Sequence, residues 1–261
     1  MSASPALRGP IRPFLTAEWR YLAMLNYAVS PALVKESLAP MVPAGTELDQ
    51  FEGKTYVSLV GFRFLRTRVR GLWIPFHANF DEVNLRFYVR RQGISPIGQG
   101  SSPTHRGVVF VREIVPRYAI AKVAQLVYRE KYIALPMSHQ VIEPTSEHGR
   151  VQAEYRWRYQ GQWSRLRVAG AGRPALAPEG SLAQFITEHY WGYATQPDGG
   201  SLEYQVAHDP WRVWTATQAS FQGDTAALYG PELAKCLSGE PESAFLAEGS
   251  AVTVYSGNRI G

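Results

Sequence analysis

Residues 79–90 read NFDEVNLRFYVR and residues 108–137 read VVFVREIVPRYAIAKVAQLVYREKYIALPM, and these two runs decide the fold of the chain. In the first, Val83, Leu85, Phe87 and Val89 alternate with Glu82, Asn84, Arg86 and Tyr88, the two-residue period of a strand with one apolar and one polar face. The apolar face belongs to a core, and the polar face meets either solvent or a cavity. In the second run, Gly107 to Val115 predicts another strand, which Pro116 stops. Residues 117–129 then predict a helix, with Ile120, Val123, Ala124 and Val127 at helical spacing. Glu82, Arg112, Glu113, Arg117 and Tyr132 thus fall in segments that otherwise read as core. Buried charge is costly unless paired, so the cluster predicts an internal ion network or a polar pocket.

The flanking sequence adds more strands. Lys54 to Leu65, KTYVSLVGFRFL, follows the turn signal FEGK and is rich in aromatic and β-branched residues. One of its faces carries Tyr56, Ser58, Val60, Phe62 and Phe64; on the other, Arg63 ends the apolar row Val57, Leu59 and Gly61. Val151 to Val168 predicts a hairpin about the turn Gln160-Gly161-Gln162. Further strands are expected at Leu202–Val206, Val213–Phe221 and Ala251–Tyr255. A helix from Pro31 to Leu38 is capped by Ser30, and a Ser181 to Gln184 capping box opens another that runs to about His189. Many strands and few short helices, without regular alternation of the two, predict a mainly antiparallel α+β or barrel architecture rather than a doubly wound parallel sheet.

Composition narrows the function classes. At 261 residues and 45% hydrophobic, the chain can bury a sizeable core, and it is read as one domain over 14–261 behind a flexible, Pro-, Ser- and Arg-containing arm over 1–13. The net charge of +5 comes from basic residues scattered along the sequence, so no nucleic-acid partner is expected. Cys236 is the only cysteine, which excludes an intrachain disulfide and a cysteine-based zinc site. The six histidines, at 77, 105, 139, 148, 189 and 208, have no metal-binding spacing, so neither metal nor cofactor is expected. His189 and His208 are read as hydrogen-bonding groups near a barrel mouth or as structural residues. No segment reaches the roughly 18 uncharged apolar residues of a membrane helix, and the N-terminus has no continuous apolar stretch; a cytoplasmic protein is expected. Walker, Rossmann and G-x-S-x-G patterns do not occur. Barrel edges and aromatic residues such as Trp157 and Trp163 leave a homo-oligomer open.

Five ordered blocks carry a family resemblance: LAPMVPAGTELDQFEGKTYVSLVGF at 38–62, NFDEVNLRFYV at 79–89, VREIVPRYAIAKVAQLVYREKYIALPM at 111–137, FITEHYWGY at 185–193 and VAHDPW at 206–211. The chain resembles the YqjF-like domain-of-unknown-function family over roughly Phe14 to Phe221, and that family is similar to the acetoacetate decarboxylase-like superfamily. The resemblance implies a closed, cone-shaped β-barrel with a small-molecule pocket inside. The superfamily's decarboxylase uses a Schiff-base lysine beside a second lysine, with buried acids nearby. One of those acids maps to Glu82, and the other falls near Ser58. Arg112-Glu113 is kept, but the turn beyond it reads Tyr118-Ala119-Ile120, with no lysine pair. Lys122 comes too late, inside the predicted helix. Imine chemistry is therefore not expected.

The resulting expectation is a small, anionic organic ligand in a barrel pocket. Glu82 is the candidate proton-transfer residue, or else pairs with Arg112 or Arg63 as a structural ion pair. Arg112 and Arg117 are candidates to clamp a carboxylate or phosphate, with Arg117 in solvent as the alternative. Arg63, Tyr132 and Ser58 complete the candidate ligand-binding set. A lyase, hydratase or isomerase without a covalent lysine and a non-catalytic binding or sensing module both remain open.

Overall fold

The main strands in chain order are β1 (Pro13–Val29), β2 (Thr55–Val69), β3 (Phe80–Gln92), β4 (Thr104–Val115), β5 (Tyr132–Ala134) and β6 (Met137–Ile142). They continue with β7 (Arg150–Tyr159), β8 (Gln162–Ala171), β9 (Trp191–Thr195), β10 (Ser201–His208), β11 (Gln218–Gln222) and β12 (Ser243–Tyr255). Two helices matter below: α1 (Tyr118–Tyr128) and α2 (Leu182–Thr187). The structure, a computed structural model, describes residues 13–93 and 103–260. The arm expected over 1–13 lies outside the described residues except for Pro13, as does most of the loop expected between β3 and β4.

Seven strands close a ring in the order β12-β1-β2-β3-β4-β9-β10, and β10 returns to β12 through Val206–Val254, Ala207–Thr253 and His208–Val252. Every pairing in the ring is antiparallel except β4 with β9. Closure leaves these strands without an edge at which another chain could add. A second, antiparallel sheet, β6-β7-β8-β11, covers the outside of the ring wall.

This layering explains the alternation in β3. Val83, Leu85, Phe87 and Val89 pack outward with Val57 and Leu59 of β2 against Ala153, Tyr155 and Trp157 of β7. The opposite faces turn into the ring, where Phe62, Phe64, Phe80 and Tyr88 form a second apolar cluster. Both faces of the wall are covered, and β3 is buried continuously from Phe80 to Val89. Tyr155 seals the layers: a Cβ on Gly61 would lie 2.6 Å from its ring, and its hydroxyl donates to the Tyr21 carbonyl at 2.7 Å.

Most expected elements are found, with informative differences. The 151–168 hairpin forms with positive φ at Gln160 and Gly161, the two-residue turn that matches strand twist. Helix α1 spans Tyr118–Tyr128, as the spacing predicts. The helical run that starts behind Ser30 reaches Met41, passing from an α turn through a π segment to a 3-10 turn. The strand expected over 213–221 is two: Arg212–Thr215 pairs with β12, and β11 joins the outer sheet. Strand β12 begins at Ser243, eight residues before the expected start, and β1 was not anticipated as a strand.

Candidate functional site

The ring encloses a cavity of about 360 Å³. Its walls are mostly apolar, with Trp19, Phe62, Phe64, Phe110, Trp191 and Trp211 prominent. Helix α1 and the segment after β2 border it through Ile120, Val123, Ala124, Ile74 and His77. Ile120, Val123 and Ala124 of the helical stripe read from the sequence thus face a cavity instead of solid core, with Val123 43% exposed, while Val127, also exposed, does not line it.

Polar groups enter this apolar space from a few positions. Along β3, Glu82, Asn84 and Arg86 point inward at successive same-face positions, so Glu82 and Arg86 stand about 13 Å apart along the wall. Glu113 enters from β4, Glu130 from the turn before β5, and Tyr132 from β5 itself. Glu82 accepts from Asn84 Nδ2 and from the Tyr132 hydroxyl, each at 3.0 Å. Glu130 accepts from the Tyr204 hydroxyl at 2.8 Å. Among the described residues, Glu113 Oε2 has no partner.

Burial disfavours the ionised form of each of these acids. It pushes Glu82 up to about 7, against the pull of the Asn84 and Tyr132 hydrogen bonds and the Arg86 charge. Glu130 is pushed up to about 8, chiefly by burial and despite its bond from Tyr204. Glu113 lies well above the carboxylate range, first through burial and then through Glu130 and Glu82 beside it. Glu82 and Glu130 are thereby brought to where a carboxyl can give or take a proton around neutrality.

At another point of the wall, His189 lies between α2 and β9 and lines the same cavity. Its Nε2 is 3.1 Å from Asp49 Oδ2, which also accepts from Arg106 Nε at 2.7 Å. Burial lowers the imidazole to about 4, outweighing Asp49. Burial alone would raise the Asp49 carboxyl, but the bonds from His189 and Arg106 prevail and hold it below its usual range.

Residues 16–251 match the family model described as an uncharacterized conserved protein, DUF2071 (COG2071). The chain belongs to the DUF2071 family. Among curated proteins, none matches the DUF2071 chain in sequence. Its fold is similar to that of solved acetoacetate decarboxylase-like structures. The acetoacetate decarboxylase of Legionella pneumophila subsp. pneumophila str. Philadelphia 1 is 13% identical, with a TM-score of 0.64 over 100% of this chain and 92% of that one. An acetoacetate decarboxylase-like enzyme from Sphingomonas wittichii RW1 is 12% identical, with a TM-score of 0.60 over the whole of both chains. The enduracididine biosynthesis enzyme MppR is 11% identical, with a TM-score of 0.62 over 100% of this chain and 98% of that one. At such identities the likeness is one of fold.

In this DUF2071 chain the sequence-derived site residues separate into two groups. Glu82 and Tyr132 line the cavity and touch each other. Arg112 does not join them: it lies on the face of β4 opposite Glu113, and its Nε donates to the Leu228 carbonyl at 3.0 Å. Arg63 likewise turns to the outer face of β2, 3.8 Å from Asp81. Neither forms the ion pair expected for Glu82, because alternation along a strand sends neighbouring side chains to opposite faces. Arg117 is exposed at the start of α1. Ser58 is buried on the inner face but bonds to Asn26 and Tyr88, each at 2.6 Å, and does not line the cavity.

Tyr204 and Asp49 are not singled out in the sequence; Glu113 stands in its charged cluster and His189 is read there as a hydrogen-bonding or structural group, but neither they nor Glu130 and Arg86 belong to the candidate ligand-binding set. For Arg86 and Asn84 a signal existed, since both share the inward face with Glu82. Tyr204, Asp49 and His189 come from distant segments joined only by ring closure. No lysine is found among the described residues that line the cavity, and Lys122 is exposed on α1 with its Nζ 5.3 Å from the Tyr118 ring. Among the described residues no group of three His, Cys, Asp or Glu side chains is disposed to hold a metal ion, and no helix is long and apolar enough to cross a membrane.

Proposed function

We propose that the DUF2071 chain binds a small organic molecule of mostly apolar body inside its ring, and that Glu82 exchanges a proton with it. The observation that carries this reading is Glu82 itself: a buried carboxyl opening into an apolar cavity, with a pKa of about 7 and two hydrogen-bond donors that fix its orientation. A carboxyl tuned to neutrality serves equally as acid and base. As a base it would take a proton from a carbon next to a carbonyl group; as an acid it would return that proton at the same or a neighbouring atom. Lyase, hydratase and isomerase reactions all contain such a step.

The absence of lysine from the described cavity walls counts against an imine route. The anionic head expected from Arg112 and Arg117 loses its support, because Arg86 is the guanidinium that reaches the cavity among the described residues. Glu82, Glu113 and Glu130 line the same cavity and oppose a fully charged anion unless they keep their protons. An oxygen-bearing head on Arg86 is the reading retained. The lone cysteine agrees with a cytoplasmic setting.

MppR has been described in complex with pyruvate, so small carbonyl compounds are the first probes. The protein is incubated in D2O with pyruvate, 2-oxobutanoate, acetoacetate and acetone, and deuterium entry next to the carbonyl is followed by NMR. Wild-type protein should accelerate exchange for at least one compound, and Glu82→Gln should abolish that acceleration without loss of binding. Binding with no exchange in either protein would favour the second reading, a non-catalytic module. That reading draws on the aromatic, weakly polar character of most of the wall. Trapping of a lysine adduct by borohydride would refute the route without an imine.

A further inference from the structure

Large apolar side chains left in solvent are concentrated at one end of the ring. Among the described residues eleven are exposed, and eight of these fall in two short segments: Leu72, Trp73, Ile74 and Phe76 between β2 and β3, and Tyr118, Val123, Leu126 and Val127 on α1. Phe76 is 83% exposed and Leu126 69%. Apolar residues exposed singly need no cause, but clusters of this kind mark a surface that something covers.

Topology brings the two segments to one place. Strands β2 and β4 flank β3 and run antiparallel to it, so the connection after β2 and the helix after β4 leave the ring at the same end, beside the start of β3. Both border the cavity. Of the described residues that line it, Ile74, Ala119 and Val123 are the exposed ones, so the cavity reaches the surface between these segments. The other six apolar residues do not line it and form an outward-facing rim around its mouth.

Charge at this rim has one sign. Residues 66–80 and 114–129 contain Arg66, Arg68, Arg70, Arg117, Lys122 and Arg129, and no Asp or Glu. All six cations are exposed, whereas the acids that adjoin these stretches, Asp81, Glu113 and Glu130, are buried. Glu18 pairs with Arg66, and none of the other five cations has an ion-pair partner among the described residues. On α1, Tyr118, Lys122 and Leu126 recur every four residues along one side, while Ile120, Val123 and Ala124 meet the cavity.

The combination selects the partner. A two-fold contact with a second copy brings the same patch of both chains together, and a single sign of charge opposes it. A nucleic acid would satisfy the cations and leave Leu72, Phe76 and Leu126 in water. An anionic bilayer satisfies both, since its acidic headgroups attract the cations and its interfacial layer accepts aromatic and aliphatic side chains.

We propose that this rim docks on the surface of an anionic lipid bilayer, with Trp73, Phe76 and Leu126 inserted and the cavity mouth turned to the lipid. The docking rests on the rim alone and is independent of the chemistry proposed for Glu82.

The test is sedimentation of the full chain with vesicles of phosphatidylcholine and with vesicles of phosphatidylcholine mixed with phosphatidylserine. The protein should bind the mixed vesicles more tightly, and about 0.5 M salt should weaken that binding by screening. Phe76→Ser should weaken it about tenfold through lost apolar burial. Arg68→Gln combined with Lys122→Gln should weaken it roughly tenfold to thirtyfold. All three side chains are exposed, so these variants should fold as the wild type does, which circular dichroism checks. In the wild-type protein, lipids brominated along the acyl chain should quench part of the tryptophan emission, and Trp73→Phe should lose that part. Absence of binding to the mixed vesicles, or equal binding to both kinds at every salt concentration, overturns the proposal. So does binding that none of the variants weakens. A dimer in solution that Phe76→Ser splits would show that a second copy covers the rim, and the proposal would fall in the same way.

Discussion

Tyr132 donates its hydroxyl to Glu82 across 3.0 Å, joining a strand of the ring to the short segment beyond helix α1. The contact exists because β5 runs parallel to β4 and sets Tyr132 opposite Glu113, one strand away from Glu82. Two donors hold Glu82, and Tyr132→Phe removes one, leaving Asn84. The carboxylate then loses stabilisation that the neutral acid does not need, so the Glu82 midpoint should rise above its value of about 7. Infrared titration of the protonated carboxyl band, assigned with Glu82→Gln, measures the midpoint. An unchanged value in Tyr132→Phe would show that the bond does not govern Glu82.

The raised acids make stability depend on pH in a definite direction. Glu82 and Glu130 titrate near 7 and 8 in the folded chain, against an ordinary value of 4.5. Between those limits the folded state binds more protons than the unfolded one, so stability falls as pH rises through this window. Below about pH 4.5 both states are protonated and these groups impose no penalty. Glu130→Gln removes one such group and keeps an acceptor for Tyr204. Its unfolding free energy from urea denaturation should exceed that of the wild type at about pH 9, by up to a few kcal/mol, and the gap should close at about pH 5. A gap of the same size at both pH values would mean that the substitution acts by packing alone.

Local pattern made the two faces of β3 legible before the destination of either was known. The inward row of Glu82, Asn84 and Arg86 is a matter of alternation, and alternation is local. What lies opposite is not local: Tyr204 reaches Glu130 across 74 residues and Asp49 meets His189 across 140, through ring closure that no short window contains. Arg112 shows the converse error. It adjoins Glu113 in sequence, and for that reason it points the other way. Strand β1 escaped notice because Ala, Leu, Met and Arg, ordinary helix formers, make up much of WRYLAMLNYA, and partners on both sides override that weak preference. Strand β12 opens with SAFLAEGS, equally poor in β-branched residues, and follows the same logic.

Gly192 tests the Tyr204–Glu130 contact through packing. It pairs with Tyr204 across β9 and β10, and a Cβ there would lie 2.1 Å from the phenol Cζ. The ring thus lies against bare backbone and reaches Glu130 at 2.8 Å from that position. Gly192→Ala must displace the ring or the strand, with an expected loss of roughly 3 kcal/mol from overpacking and a broken buried bond. Tyr204→Phe, which removes only the hydroxyl, should lose about 1 kcal/mol. Denaturation of the two variants side by side checks the order, and equal losses would place the ring elsewhere.

The opposite side of the wall provides the control. Tyr155 packs over Gly61 from the outer sheet and donates to the Tyr21 carbonyl at 2.7 Å, where β1 shifts register and Tyr21 adopts a φ of 54°. That carbonyl is freed from the regular ladder by the irregularity, and the phenol supplies its donor. Tyr155→Phe leaves it without that donor, and the expected loss is about 1–2 kcal/mol. Gly61→Ala should lose more, because a methyl group there cannot coexist with the ring in place. Both positions face away from the cavity, across a wall whose inner side carries Glu82. Tyr155→Phe should therefore lower the urea midpoint while the infrared titration of Glu82 stays at its wild-type value. A shift in that titration would show that the two faces of the wall are coupled through the β2–β3 pairing, and the site would then depend on the packing of the outer sheet.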